Sequence, residues 1–171
     1  TIPNSCGPTT ITPKATVASC GTETPTYKWT FEGGTPATSS NLDPGQIAFS
    51  SPGVKKVKLE VTSGCGTTIT EKSFTISELP IANAGQDIEI CNGEEIKLSG
   101  SASGGSGSFT YQWTSSPAST IIGGNTATPT IKPNLTTIYK LTVRDQSTNC
   151  IATDEVEIKV IPAPIILFDI P

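Results

Sequence analysis

TYKWT at residues 26–30 returns as TYQWT at 110–114. Other landmarks repeat at nearly the same interval. Cys6 recurs as Cys91, and Cys65 as Cys150. VKLEV at 57–61 becomes YKLTV at 139–143, and Leu79-Pro80 becomes Ile161-Pro162. A period of roughly 80–85 residues, with small compensating shifts, marks two tandem copies of one domain.

The pentapeptide also sets the type of element. Tyr27, Trp29 and Phe31 recur at every second position, so they share one face of a strand. Trp29, and its counterpart Trp113, are then the anchors of two cores. Around them, short runs alternate apolar and polar residues and are broken by Gly, Pro, Ser and Asn every 8–12 residues, which predicts an all-β sandwich in each copy. In the first copy the strands fall at 11–17, 26–31, 46–50, 54–61 and 67–77, with 32–45 as turn chemistry throughout. In the second they fall at 87–90, 95–102, 109–114, 128–133, 138–145 and 151–160. The organisation expected is two antiparallel β-sandwiches arranged end to end, over 1–78 and 79–161. IPAPIILFDIP at 161–171 occupies the place of IANAGQDIEI in the second copy, so 162–171 reads as the first strand of a following domain. By the same comparison the first copy lacks its own first strand upstream of Thr1, and the chain reads as a segment of a longer one.

Composition narrows the function classes. The net charge is −4 with scattered lysines, whereas nucleic acid calls for a clustered basic stripe. No apolar run approaches the roughly 20 residues of a membrane span, so no membrane insertion is expected. The chain has no His, so neither a Ser-His nor a Cys-His nucleophile can be assembled. Five Cys without His or a CxxC pair do not form a zinc site. In small Thr-rich β domains they point instead to disulfides and an oxidising, extracellular compartment.

One stretch carries a family resemblance. YKWTFEGGTPATS, followed by FSSPGVKKVKLEV, resembles the polycystic-kidney-disease (PKD) domain in the variant common in secreted Bacteroidota proteins. The family pattern is roughly Y-x-W-x-F-x-G-G-x-P-x-x-S, then P-G-x-x-x-V-x-L-x-V. The first copy matches nearly all of it from Tyr27 to Val61, with Val54 and Lys55 where a Tyr is usual. The second copy resembles a PKD-like or immunoglobulin-like relative through ANAGQDIEIC, GGSGSFTYQW and YKLTVRD. The resemblance implies a seven-stranded immunoglobulin-like sandwich used as a spacer or adhesive stalk in surface proteins, gliding-motility adhesins among them. It also implies use as an accessory module of secreted proteases and polysaccharide hydrolases, with export by type IX secretion. Fold likeness alone does not establish function.

The equal spacings suggest Cys6–Cys65 and Cys91–Cys150, but sandwich topology opposes it. Cys6 and Cys91 fall at one pole and Cys65 and Cys150 at the other. A strand of about eight residues spans roughly 26 Å, and a disulfide needs Cα atoms within about 7 Å. Two other pairings fit: Cys20–Cys65 within the first copy and Cys6–Cys150 between copies. Cys91 would then pair with a cysteine of a following domain. The alternatives are free thiols at Cys6, Cys91 and Cys150, or a different pairing within a copy.

Other polar residues give little chemistry. Glu94 and Glu95 are adjacent, so on a strand they point to opposite faces, whereas a glycosidase needs two carboxyls converging on one cleft. Lys55, Lys56 and Lys58 beside Glu60 read as a charged sandwich surface. No catalytic residue is assigned. Calcium is the one cofactor weighed, with Asp87 and Asp145 as candidate ligands near one pole, although no DxDxDG run is present. The expected function is a non-enzymatic stalk, filament or adhesin spacer at a bacterial surface. Its partners would be neighbouring repeat domains, other surface proteins or glycans. The alternative is a carbohydrate- or protein-binding accessory module of a secreted hydrolase.

Overall fold

The computed structural model describes residues 2–18 and 23–162. The chain divides into two compact units, Thr1–Glu78 and Leu79–Pro171. Unit 1 contains β1 (Ser5–Cys6), β2 (Thr9–Ile11), β3 (Thr26–Phe31), β4 (Gly34–Thr35), β5 (Thr38–Ser39), β6 (Ile47–Phe49), β7 (Gly53–Ser63) and β8 (Gly66–Ser77). Its main sheet runs β1-β8-β7-β3-β5 and its second sheet β2-β6-β4.

Unit 2 contains β9 (Pro80–Asn83), β10 (Ile88–Cys91), β11 (Ile96–Lys97), β12 (Ser101–Gly104), β13 (Phe109–Ser116), β14 (Ile121–Ile122), β15 (Thr130–Ile131), β16 (Thr137–Asp145) and β17 (Ile151–Ile161). Its main sheet runs β10-β17-β16-β13, faced by β11-β15-β14 and by the pair β12-β9. Each unit is therefore an immunoglobulin-like sandwich, antiparallel except at one edge of its main sheet, and the described residues contain no helix.

The registers match between units. Trp29 lies opposite Leu59 and Trp113 opposite Leu141. Val57 lies opposite Lys72 and Tyr139 opposite Val156. In each unit the first edge strand of the main sheet pairs in parallel with the last. β1 pairs with β8 through Ser5–Ile76 and Cys6–Ser77, and β10 pairs with β17 from Ile88–Ile158 to Cys91–Ile161.

Period-two burial builds each core. Trp29, Phe31, Ile47, Phe49, Val57, Phe74 and Ile76 are buried together in unit 1. Phe49 meets Phe74 edge to face across the sandwich at 5.2 Å, a favoured aromatic geometry. In unit 2, Trp113 packs among Leu98, Ile131, Tyr139, Leu141 and Ile158. Both tryptophans are thus core residues.

Several expected elements differ. The strand expected at 11–17 ends at Ile11. In unit 2 the corresponding strand β11 likewise stops at Lys97, before the position that matches Pro13. There the Leu98 N–H still donates to the Pro129 carbonyl at 2.9 Å, a bond that Pro13, with no N–H, cannot make. The strand expected at 95–102 is two strands, β11 and β12, paired to different partners. The stretch 32–45 holds β4 and β5 among its turns, and β15 covers only Thr130 and Ile131 of 128–133. Unit 1 has a parallel edge strand of its own in β1, in the place that β10 holds in unit 2. Of the strand expected at 162–171, Pro162 lies outside any strand, and 163–171 lie outside the described residues.

Candidate functional site

The two units differ most where residues 12–18 of unit 1 pass the main sheet. Ile11, Pro13, Ala15 and Val17 alternate half-buried with exposed neighbours, so they face the sheet. Beyond Ile11, however, no backbone hydrogen bond ties this segment to another strand among the described residues. A groove of about 670 Å³ opens beneath it. Ala15 and Val17 line one wall, Leu59, Val61 and Thr70 the other, and Trp29 also borders it.

Unit 2 has an element over the corresponding place. There β9 pairs with β12, Ala82 opposite Ala102. Just beyond it, Ala84 is buried and its N–H donates to the Asp154 carboxylate at 2.8 Å. Aligning Trp113 with Trp29 sets Asp154 and Val156 on Thr70 and Lys72 of unit 1. Val156 is buried, whereas Thr70 and Lys72 are exposed. Position by position, the groove of unit 1 is the place that β9 and Ala84 fill in unit 2.

Asp145 ends β16 and is fully buried. Its carboxylate accepts the Ser106 N–H, the Ser106 hydroxyl at 2.8 Å, and the N–H groups of Ser147 and Thr148 at 2.9 and 3.0 Å. The Ser106 N–H is the largest of the influences that hold this carboxyl well below the usual carboxylate range, with burial opposing it. Such a carboxylate knots two turns together. Gly105 stands so close that a Cβ there would run into the Asp145 carboxylate.

Asp87 is elsewhere. It accepts the Glu157 N–H at 2.8 Å, near the far end of β17, while Asp145 meets the start of that strand, its own N–H donating to the Cys150 carbonyl at 2.9 Å. About seven residues of strand, roughly 23 Å, separate the two ends. The two carboxylates considered for calcium therefore do not converge, and the expected meeting at one pole is corrected. Among the described residues no group of three acidic, Cys or His side chains is placed to hold a metal ion.

The remaining candidates are structural. Glu94 accepts the Cys91 N–H at 3.1 Å and closes the turn after β10. Lys56 pairs with Glu71 and Lys58 with Glu60, all partly exposed. Lys55 is a correction to the charged-surface reading. It lies on the inward side with Val57 and is buried, its ammonium donating to the Ser51 hydroxyl at 3.0 Å.

Cys6, Cys65 and Cys150 are disulfide-bonded, and Cys91 is an exposed free thiol. Cys20 lies outside the described residues. Register separates Cys6 from Cys65 within unit 1. Cys6 is opposite Ser77 at one end of β8, and Cys65 precedes Gly66 at the other. A strand of that length, about twelve residues, spans roughly 36–40 Å, well beyond disulfide reach.

No family profile matches this chain, and no curated protein does. Solved structures of immunoglobulin-domain tandems are similar in fold. Extracellular domains 3–5 of Drosophila OTK share 15% identity over 92% of this chain and 58% of theirs, at a TM-score of 0.48. The titin I-band fragment I67–I69 shares 12% identity over 94% of this chain and 62% of its own, at 0.44. The chain spans about three-fifths of the length of these two structures. No helix is long and apolar enough to cross a membrane among the described residues.

Proposed function

We propose that this chain is a non-enzymatic, load-bearing segment of a large extracellular repeat protein, a stalk or adhesin spacer at a bacterial surface. The observation that carries the reading is the parallel pairing, in the main sheet of both units, of its earliest strand with its last, β1 with β8 and β10 with β17. Parallel neighbours at a domain's two ends are pulled in opposite directions along their length. Their hydrogen bonds are then loaded together and not one after another. The disulfide-bonded Cys6, Cys65 and Cys150 add covalent restraint and suit an oxidising compartment.

The cross-links proposed are Cys20–Cys65 and Cys6–Cys150. Four cysteines in two bonds allow three connectivities, and the register of β8 removes the one containing Cys6–Cys65. Cys65 sits at the turn joining β7 to β8, close to Thr62, the partner of Thr26 at the start of β3. Cys20 lies shortly before Thr26, so Cys65 is within its chain reach. Cys91 holds in unit 2 the place of Cys6, and its free thiol is proposed to pair with a following domain.

Force-extension measurements on the chain, flanked by marker domains, test the role. Two discrete unfolding events are expected after reduction, whereas in the oxidised chain the proposed Cys6–Cys150 bond carries the load past the residues between and shortens the contour length released. Featureless extension would remove the load-bearing reading. Non-reducing peptide mapping tests the linkage. Cys91 should alkylate without reductant while Cys6, Cys65 and Cys150 stay protected, and a Cys6–Cys150 peptide should be recovered. Recovery of Cys6–Cys20 would overturn the proposed pairing.

A further inference from the structure

We infer that Asn92 is a site of spontaneous covalent modification, at which its side-chain amide is lost and the link to Gly93 becomes aspartyl or isoaspartyl. Asn92 is the one asparagine of the chain that is followed by glycine. The Gly93 nitrogen attacks the side-chain carbonyl carbon of Asn92 and forms a C–N bond. The side-chain nitrogen leaves as ammonia, taking the Gly93 proton with it, and a succinimide ring remains. Water, the sole co-reactant, then opens the ring at either carbonyl. Nothing is oxidised or reduced.

The turn that holds Asn92 is closed at its ends and unheld in its middle. The Glu94 N–H donates to the Cys91 carbonyl, and the Cys91 N–H to the Glu94 carboxylate, both at 3.1 Å. Between them, the Asn92 side chain, the Asn92 carbonyl and the Gly93 N–H make no hydrogen bond among the described residues. Asn92 is exposed. Gly93 has a φ of +80°, and a Cβ there would meet nothing within 4 Å. Glycine accepts either sign of φ, so the peptide plane between the two residues can turn without breaking a bond or meeting a neighbour. That rotation brings the Gly93 nitrogen to the side-chain carbonyl.

Other asparagines lack this freedom. The Asn83 side-chain oxygen accepts the Gly85 N–H at 2.8 Å, and the nitrogen that would attack it, that of Ala84, is bonded to the Asp154 carboxylate. After Asn149, the Cys150 N–H donates to the Thr148 hydroxyl at 3.3 Å. The matching turn of unit 1 reads Cys6-Gly7-Pro8 and has no side-chain amide to lose.

Conversion changes the end of a ladder. It sets a new carboxylate beside Glu94 and Glu95, and the isoaspartyl form adds a carbon to the main chain between Cys91 and Glu94. The Asn92 N–H donates to the Ile161 carbonyl at 3.0 Å, just past the last β10–β17 pair, Cys91–Ile161. The counterpart in unit 1 is the Gly7 N–H on the Ser77 carbonyl at 2.9 Å. On the load-bearing reading, on which this consequence alone rests, unit 2 weakens with age and unit 1 does not.

The test incubates the full oxidised chain in mildly alkaline buffer, with time points taken for peptide mapping and for isoaspartate-specific methyl labelling. The peptide containing Asn92 should gain the amide-to-acid mass change, at a rate within several-fold of a free peptide of sequence 88–96. Asn83 and Asn149 should stay amides over the same period. Mildly acidic buffer should slow the conversion, because the attacking nitrogen must lose its proton. Asn92→Gln should abolish the methyl label, since its longer side chain closes a ring far less readily. An Asn92 that stays intact while the free peptide converts overturns the inference, because the folded turn then protects it. So does a methyl label that persists in Asn92→Gln, which would place the reaction elsewhere. Mapping is independent of force, so failure of the site and failure of the load-bearing reading are told apart.

Discussion

The indole N–H of Trp113 donates to the backbone carbonyl of Thr126 at 3.1 Å. The bond recurs in unit 1, where Trp29 reaches the Asn41 carbonyl at 3.0 Å. In both units the ring fills the core and its one polar atom pins the loop that crosses the open face. In unit 2 that loop is itself closed by the Thr126 N–H and hydroxyl on the Gly123 carbonyl, at 2.9 and 2.8 Å.

Trp113→Phe therefore separates packing from pinning. It keeps an aromatic ring but strands the Thr126 carbonyl, at a cost of about 1–3 kcal/mol. Trp113→Ala removes the ring as well and should cost about 3–5 kcal/mol. Urea unfolding followed by far-UV circular dichroism reads both. A Phe variant as unstable as the Ala variant would show that the loop bond dominates.

Gly100 has no room for a methyl group. A Cβ there would lie 2.6 Å from the Trp113 ring and 2.7 Å from the Ala127 carbonyl oxygen. Gly100→Ala should destabilise unit 2 by about 1–3 kcal/mol through overpacking. The matching residue of unit 1 is Ala15, which borders the groove, so Ala15→Gly should cost no more than about 1 kcal/mol, the backbone-entropy effect of a glycine. Thermal melts of the two variants should differ clearly.

Asp145 makes unit 2 sensitive to acid. Its folded-state carboxyl titrates below the ordinary range because of the Ser106, Thr148 and Ser147 donors. Its contribution is fully present above the unfolded-state value of about 3.9, and it is lost as pH falls from there through the lower folded-state value. The melting temperature of unit 2 should thus decline below about pH 4. Asp145→Asn should be less stable at neutral pH and lose that part of the acid dependence. A variant with the same acid profile as the parent would place the titrating group elsewhere.

The long strands were readable because their alternation is strict. Tyr27-Trp29-Phe31, Val57-Leu59-Val61 and Tyr139-Leu141-Val143 each put large apolar residues on one face, and the structure buries or half-buries that face. Lys55 was misread although it shares the parity of Val57, because its charge outweighed its position. The short strands β4, β5 and β14 cannot show any period, and β4 and β5 carry turn chemistry. Pro13 was a visible obstacle to a strand over 11–17. What the alternation could not show was the partner N–H that Leu98 supplies in the other copy. Asp145 looked like a free ligand because its donors come from two turns, one of them far upstream at Ser106.

Pro13 and Ala15 have a consequence for folding as well as for the groove. Tandem domains of like sequence risk exchanging equivalent strands while both are unfolded. The 11–17 segment could not serve in unit 2. Pro13 would leave the Pro129 carbonyl without its donor, and the Ala15 methyl group would collide with Trp113 and the Ala127 carbonyl. Two substitutions thus make the copies mutually incompatible at this strand, so each half of the chain is steered to condense on its own residues and the swapped misassembly is left without a stable product.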